Sequence, residues 1–167
     1  IDSVVDLDEH ISRLEKEQLQ LKEGMLKSVK ELHEKRKKAI PQLKDKLEAY
    51  LKELGLPNAQ FKFNLEVSEN FKKNGKDILE LLFTANKGLA LGSLKKVASG
   101  GEMSRIMLAV KAVLAKYKKL PTLILDEIDT GVSGEIANRM ASIMATMSQT
   151  MQLLSITHLP QIAAKGA

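Results

Sequence analysis

Three short stretches combine residue types and spacings that could do phosphate chemistry. The first is Ala98-Ser99-Gly100-Gly101-Glu102, placed just before the amphipathic pattern Met103-Ser104-Arg105-Ile106-Met107-Leu108. Two glycines let a backbone approach a ligand closely, and Ser99 is of the type that caps a helix. The free N–H groups and partial positive charge of such a helix start suit a phosphate. An ordinary capped helix after a Gly turn would use the same residues. The second is Leu123-Ile124-Leu125-Asp126-Glu127, an apolar strand ending in adjacent carboxylates. In a parallel sheet these acids would stand at the carboxyl edge, where ligands of α/β folds bind. Asp126 could then hold Mg²⁺, directly or through water, and Glu127 could orient or deprotonate an attacking water. A strand that simply runs into a solvated loop reads the same way. The third is Ser155-Ile156-Thr157-His158, again a polar end to an apolar strand. A single His is more often structural than functional. Joint occurrence is far more specific: Asp126 follows Ser99 by 27 residues, and His158 follows Asp126 by 32.

These stretches need elements to hold them. Residues 4–54 read as helix, with Val4, Leu7, Ile11, Leu14, Leu21 and Met25 in heptad spacing, Gln18 as an interruption, then Val29 and Leu32 after a one-residue slip. The stripe resumes at Ile40, Leu43, Leu47, Tyr50 and Leu54. Pro41 lacks an N–H and clashes with the preceding turn, so a helix break is expected near residues 39–41. Such a seam wants a partner helix. Two helices of a compact bundle would give the same stripe.

Leu54-Gly55-Leu56-Pro57-Asn58 ends the helix, and strict alternation over residues 61–67 predicts a half-exposed strand. A polar connection of about ten residues, containing Asn74-Gly75, leads to a second strand over residues 78–83, giving an antiparallel pair. From there helix and strand alternate: helix 99–118, strand 122–125, helix 133–147, strand 151–156, and a helix from Pro160. That alternation implies a parallel sheet covered by helices.

Composition narrows the classes. There is no cysteine, which excludes disulfides and Cys-ligated metal. No apolar run is long enough to cross a membrane as a helix. Residues 1–54 carry twelve basic and twelve acidic side chains, so the net charge of +5 lies in residues 55–167. Basic clusters at Lys35-Arg36-Lys37-Lys38, Lys95-Lys96 and Lys116/Lys118/Lys119 are candidate DNA contacts, or solvated helix faces. The sequence starts without Met and ends at Lys165-Gly166-Ala167 in mid-element, as a piece of a longer protein would.

Taken together, the three motifs resemble the C-terminal half of an ABC-type ATPase head: signature at residues 98–102, Walker B at 123–127, D-loop near 131–134, switch histidine His158. A coil ending some 45 residues before the signature is similar to the SMC-like branch. Within it, Asp126-Glu127-Ile128-Asp129-Thr130-Gly131-Val132-Ser133-Gly134, Val97-Ala98-Ser99-Gly100-Gly101-Glu102-Met103-Ser104-Arg105 and Thr157-His158-Leu159-Pro160-Gln161-Ile162-Ala163-Ala164 resemble the RecN family.

The resemblance implies an α/β fold: the C-terminal lobe of an ABC-ATPase head over residues 55–167, with a parallel sheet flanked by helices and an antiparallel strand pair, preceded by a coiled-coil arm over residues 1–54. It implies ATP and Mg²⁺ as ligands, bound between two heads of a self-dimer. Ser99, Gly100, Gly101 and Glu102 would face the ATP of the opposite head, Asp126 would serve Mg²⁺, and Glu127 and His158 would be catalytic. Arg105 would add positive charge there or form a salt bridge. The activity implied is ATP hydrolysis in DNA double-strand-break repair and recombination, in the cytoplasm at the nucleoid, with DNA as partner and no membrane. The Walker A loop is absent from these residues, so this stretch alone is expected not to hydrolyse ATP. Another SMC-like or ABC ATPase, or a non-catalytic coiled-coil interaction protein, are the alternatives.

Overall fold

The computed structural model describes the backbone of residues 2–117, 120–132 and 134–166, with side chains from residue 7 onward. The seam position Val4, the basic residues Lys118 and Lys119, and Ser133 of the expected D-loop therefore lie outside what is described. The elements run α1 (Asp2–Glu53), β1 (Gln60–Lys72), β2 (Gly75–Thr84), β3 (Gly92–Ser93), α2 (Leu94–Val97), α3 (Gly100–Tyr117), β4 (Thr122–Asp126), α4 (Gly134–Ser148), β5 (Gln152–Ile156) and α5 (Pro160–Ala163). They form two compact units: Ile1–Ala39 with Leu65–Ile78, and Ile40–Asn64 with Leu79–Ala167. Residues 40–54 belong to the second unit, where Leu47, Leu51 and Leu54 join its core.

Among the described residues, the buried core lies in that second unit. Helix α4 offers Ala137, Met140, Ala141, Met144 and Met147 at helical spacing, and α3 offers Ile106, Ala109, Ala112 and Val113. Strands β4 and β5 pair in parallel, in register from Thr122↔Gln152 to Asp126↔Ile156. Alternation puts Leu123 and Leu125 into the core, while Ile124, Leu154 and Ile156 are exposed. The other sheet has the order β1-β2-β3, with β2 and β3 antiparallel through Leu82↔Ser93 and Phe83↔Gly92.

In the first unit the hairpin tip is fastened to α1 by polar groups. Asp77, whose side chain is 4% exposed, accepts a hydrogen bond from Arg36 Nη1 at 2.7 Å and lies 2.7 Å from His33 Nδ1. Arg36 Nη2 also donates to the Asn74 carbonyl at 2.9 Å. The Arg36 guanidinium, with His33 beside it, holds the Asp77 carboxyl below its usual range against the opposing effect of burial. Leu7, Ile11, Leu14, Leu21 and Met25 are exposed along α1.

Two expectations need correction. Helix α1 does not break near residues 39–41; it runs through Pro41. Pro41 is exposed, so the Lys37 carbonyl left without its N–H partner can turn to solvent, and buried Leu47 and Leu51 hold the following turns. The hairpin connection is two residues, Lys73-Asn74, rather than about ten. A strand ladder needs only backbone groups, so the mostly polar residues 68–72 (Phe71 apart) and 75–77 extend both strands without apolar alternation, and Gly75 takes the φ of +104° that the turn requires. Strand β3 and helix α2 went unanticipated, being only two and four residues long.

Candidate functional site

The glycine-rich stretch does start a helix. Ser99 stands before α3 and forms a reciprocal capping box with Glu102: the Ser99 backbone N–H and hydroxyl each donate to Glu102 Oε2 at 2.8 Å, and the Glu102 N–H reaches Ser99 Oγ at 3.4 Å. This leaves the N–H groups of Gly100 and Gly101, in the first turn, without intrahelical acceptors. A Cβ on Gly100 would meet nothing within 4 Å, so its backbone is open to a ligand. Arg105 forms no salt bridge among the described residues; its Nε donates to the Gly101 carbonyl at 3.1 Å and its Nη1 to the Leu54 carbonyl at 3.4 Å.

The two strand ends lie side by side. The ladder closes with the Glu127 N–H donating to the Ile156 carbonyl at 3.1 Å, so Glu127 sits beside the Thr157–His158 end of β5. Glu127 has φ +46°, the one positive-φ residue other than glycine among those described. Such strained backbone clusters at functional positions. Asp126, Glu127 and His158 are all exposed, and none of their side chains hydrogen-bonds within the described residues. Among those residues no group of three or more His, Cys, Asp or Glu could hold a metal ion.

The turn after Glu127 folds back tightly. Thr130 donates through its N–H (3.3 Å) and hydroxyl (2.9 Å) to the Glu127 carbonyl, and Val132 N–H donates to the Asp129 carbonyl at 3.1 Å. This turn meets the helix start at two glycines. A Cβ on Gly101 would sit 3.2 Å from the Gly131 carbonyl oxygen, closer than side chains normally pack. Two further residues meet here: Asp129, 2% exposed, accepts a hydrogen bond from the Thr157 hydroxyl. The available signal was a third acid in an otherwise apolar Ile128-Asp129 pair, where a charge is not expected inside.

No family model matches the chain. Solved SMC heads share its fold. The SMC head bound to the C-terminal winged-helix domain of ScpA superposes with a TM-score of 0.58 at 22% identity, covering 74% of this chain and 36% of that one. The Pyrococcus yayanosii SMC head with coiled coil and joint gives 0.61 at 21% identity, over 77% and 24%. A structure concerned with ATP-driven dimerisation and DNA-stimulated activation of SMC ATPases gives 0.55 at 21%, over 80% and 78%. In fold, then, this chain is similar to a part of an SMC head.

Sequence narrows the class further. The chain is 34% identical to the DNA repair protein RecN of Bacillus subtilis over 98% of its own length, and 40% identical to that of Deinococcus radiodurans over 85%. The Rickettsia typhi RecN is 34% identical over 93%. The chain is a RecN homologue, and it spans 25% to 31% of the length of these relatives.

Proposed function

We propose that this chain supplies part of a composite ATP-hydrolysing site in a DNA-repair ATPase, the Walker A loop coming from the rest of its own head and the facing signature from a second head. The observation that carries this reading is the pairing of strand ends: Asp126-Glu127 against Thr157-His158, with Glu127 in a positive-φ conformation and its carboxylate unengaged. Mg²⁺-ATP, when bound, supplies the scissile phosphoanhydride and the metal's charge. Asp126 would ligate the metal, Glu127 would orient and deprotonate the water, and His158 would face the γ-phosphate or that water. Gly100 and Gly101 would present free N–H groups to the γ-phosphate bound on the opposite head. The Ser99 hydroxyl joins them by releasing Glu102, whose carboxylate it holds here. Phosphoryl transfer depends mostly on positioning and charge, so a site divided between heads makes hydrolysis report their engagement.

The exposed apolar positions Ile124, Leu154 and Ile156 fit this division, since a parallel sheet is ordinarily covered on both faces. The exposed seam of α1 is read as one arm of a coiled coil, and the protein as acting on DNA in the bacterial cytoplasm. In the complete protein, Glu127→Gln should bind Mg²⁺-ATP normally while hydrolysis is nearly abolished, because Gln can orient water but not accept its proton. Asp126→Asn should instead weaken Mg²⁺-ATP binding itself. Calorimetry and single-turnover hydrolysis separate the two; wild-type hydrolysis by Glu127→Gln would sink the assignment.

A further inference from the structure

The most deeply buried acid of the second unit is not one of the exposed carboxylates at the strand end. Asp129 is 2% exposed; its Oδ2 accepts from the Thr157 hydroxyl, while its Oδ1 is buried with no hydrogen-bond partner among the described residues. A buried carboxylate oxygen without a donor costs stability, so packing alone does not explain this side chain. The Thr157 hydroxyl completes a relay: it donates to Asp129 and accepts from the Leu159 backbone N–H at 3.0 Å. Residues on both sides of His158 are thereby tied to the turn that follows Glu127. That same turn is closed by Thr130 onto the Glu127 carbonyl.

From this we infer that Asp129 and Thr157 are positioning residues: a buried carboxylate–hydroxyl clamp that fixes the distance between the Glu127 and His158 backbones and so sets the alignment of water and γ-phosphate. The inference rests on the composite-site reading above. Neither residue touches the reacting atoms; each acts through its neighbour on the chain. Misplacement of reacting groups by about 1 Å can lower turnover a hundredfold while leaving substrate binding largely intact. The clamp also lies in one turn with Gly131, which abuts Gly101 of the helix start.

The test uses the complete protein with ATP as ligand. Thr157→Val keeps the side-chain shape and removes the hydroxyl. It should lower kcat at least tenfold with KM for ATP within about twofold, and Thr157→Ser should restore kcat. Asp129→Asn retains an acceptor oxygen for the hydroxyl and should stay within a few-fold of wild type, whereas Asp129→Ala should fall with Thr157→Val. Where Val is not tolerated, Thr157→Cys carries the same test, since its thiol bonds weakly at similar size, and the same loss of kcat is expected. Wild-type kcat in Thr157→Val or Thr157→Cys overturns the inference. So does a Thr157→Ser variant no better than Thr157→Val, or a loss seen only in KM. Glu127→Gln is measured alongside. If it hydrolyses ATP normally the composite-site reading itself has failed; if it is inactive while Thr157→Val is wild type, only the clamp has.

Discussion

The two compact units solve the same problem with different physics. In the unit of residues 40–64 and 79–167, apolar side chains from α1, α3, α4 and both sheets close into one core, with Leu51, Leu54, Phe83, Leu108 and Met140 fully buried. In the unit of residues 1–39 and 65–78 the apolar positions of α1 from Leu7 to Leu26 are exposed, only Val29 and Leu32 are half-buried, and one buried carboxylate, Asp77, organises the hairpin tip through Arg36 and His33. The first arrangement is non-directional and tolerates repacking. The second depends on a few partners in fixed geometry, because a buried charge is acceptable only when paired. Burial thus follows the supply of opposing surface rather than apolarity: the same helix hides Leu47 and Leu51 and exposes Leu21 at 62%.

Substitutions can sharpen or break this contrast. The largest effect belongs to the core: Leu51→Ala should cost about 2–5 kcal/mol in denaturant unfolding, for lost transfer energy and a cavity. A loss below about 1 kcal/mol would mean the core is not what holds that unit. Next, Asp77→Ala should cost about 1–3 kcal/mol locally, leaving Arg36 and His33 without their acceptor, and should release the amides near Gly75 to hydrogen exchange. Unfolding of the other unit should not move. The same link gives a pH dependence. Because the Asp77 carboxyl is held below its ordinary value, its contribution is present above the usual aspartate range and disappears as pH falls through the lowered folded-state value. Protection of the tip should therefore survive mild acid and vanish only in strongly acid solution; loss already near neutrality would contradict the clamp. Smallest of all, Leu21→Ala on the exposed stripe should change the stability of this chain by no more than about 0.5 kcal/mol. A cost of several kcal/mol would show that the stripe is covered.

What the sequence disclosed divides along the same line. Strand ends and helix starts of the head were readable because an apolar run stopping at Asp126-Glu127 or Thr157-His158, or a Ser-Gly-Gly-Glu stretch before an amphipathic pattern, is a local signal. The capping role of Ser99 was legible for that reason, and the capping box confirms it. Pro41 misled because the cost of an internal proline is a propensity, and packing of Leu47 and Leu51 outweighs it. The outer part of the hairpin carries no apolar alternation, with Phe71 alone among polar residues, so periodicity does not mark it as strand. Asp77, His33 and Arg36 meet across more than 40 residues of chain, and nothing local announces a contact of that range. Asp129 and Thr157 were in view as letters of motifs, but their bond joins two strand ends and becomes visible only in three dimensions.

The central claim is that each site is shared between two heads, and mixing two inactive variants of the complete protein tests it most directly. Gly100→Asp places a negative charge where the phosphate would bind, at a position with open space around its Cβ, so folding should be spared. Glu127→Gln removes the base. Alone, each should hydrolyse ATP at a small fraction of the wild-type rate. Mixed in equal amounts and allowed to exchange, half the dimers pair one of each, and each such dimer has one site with an intact Glu127 facing an intact Gly100. The mixture should recover about a quarter of wild-type activity by symmetry alone. No recovery above the separate variants, with exchange verified, would contradict a site divided between heads.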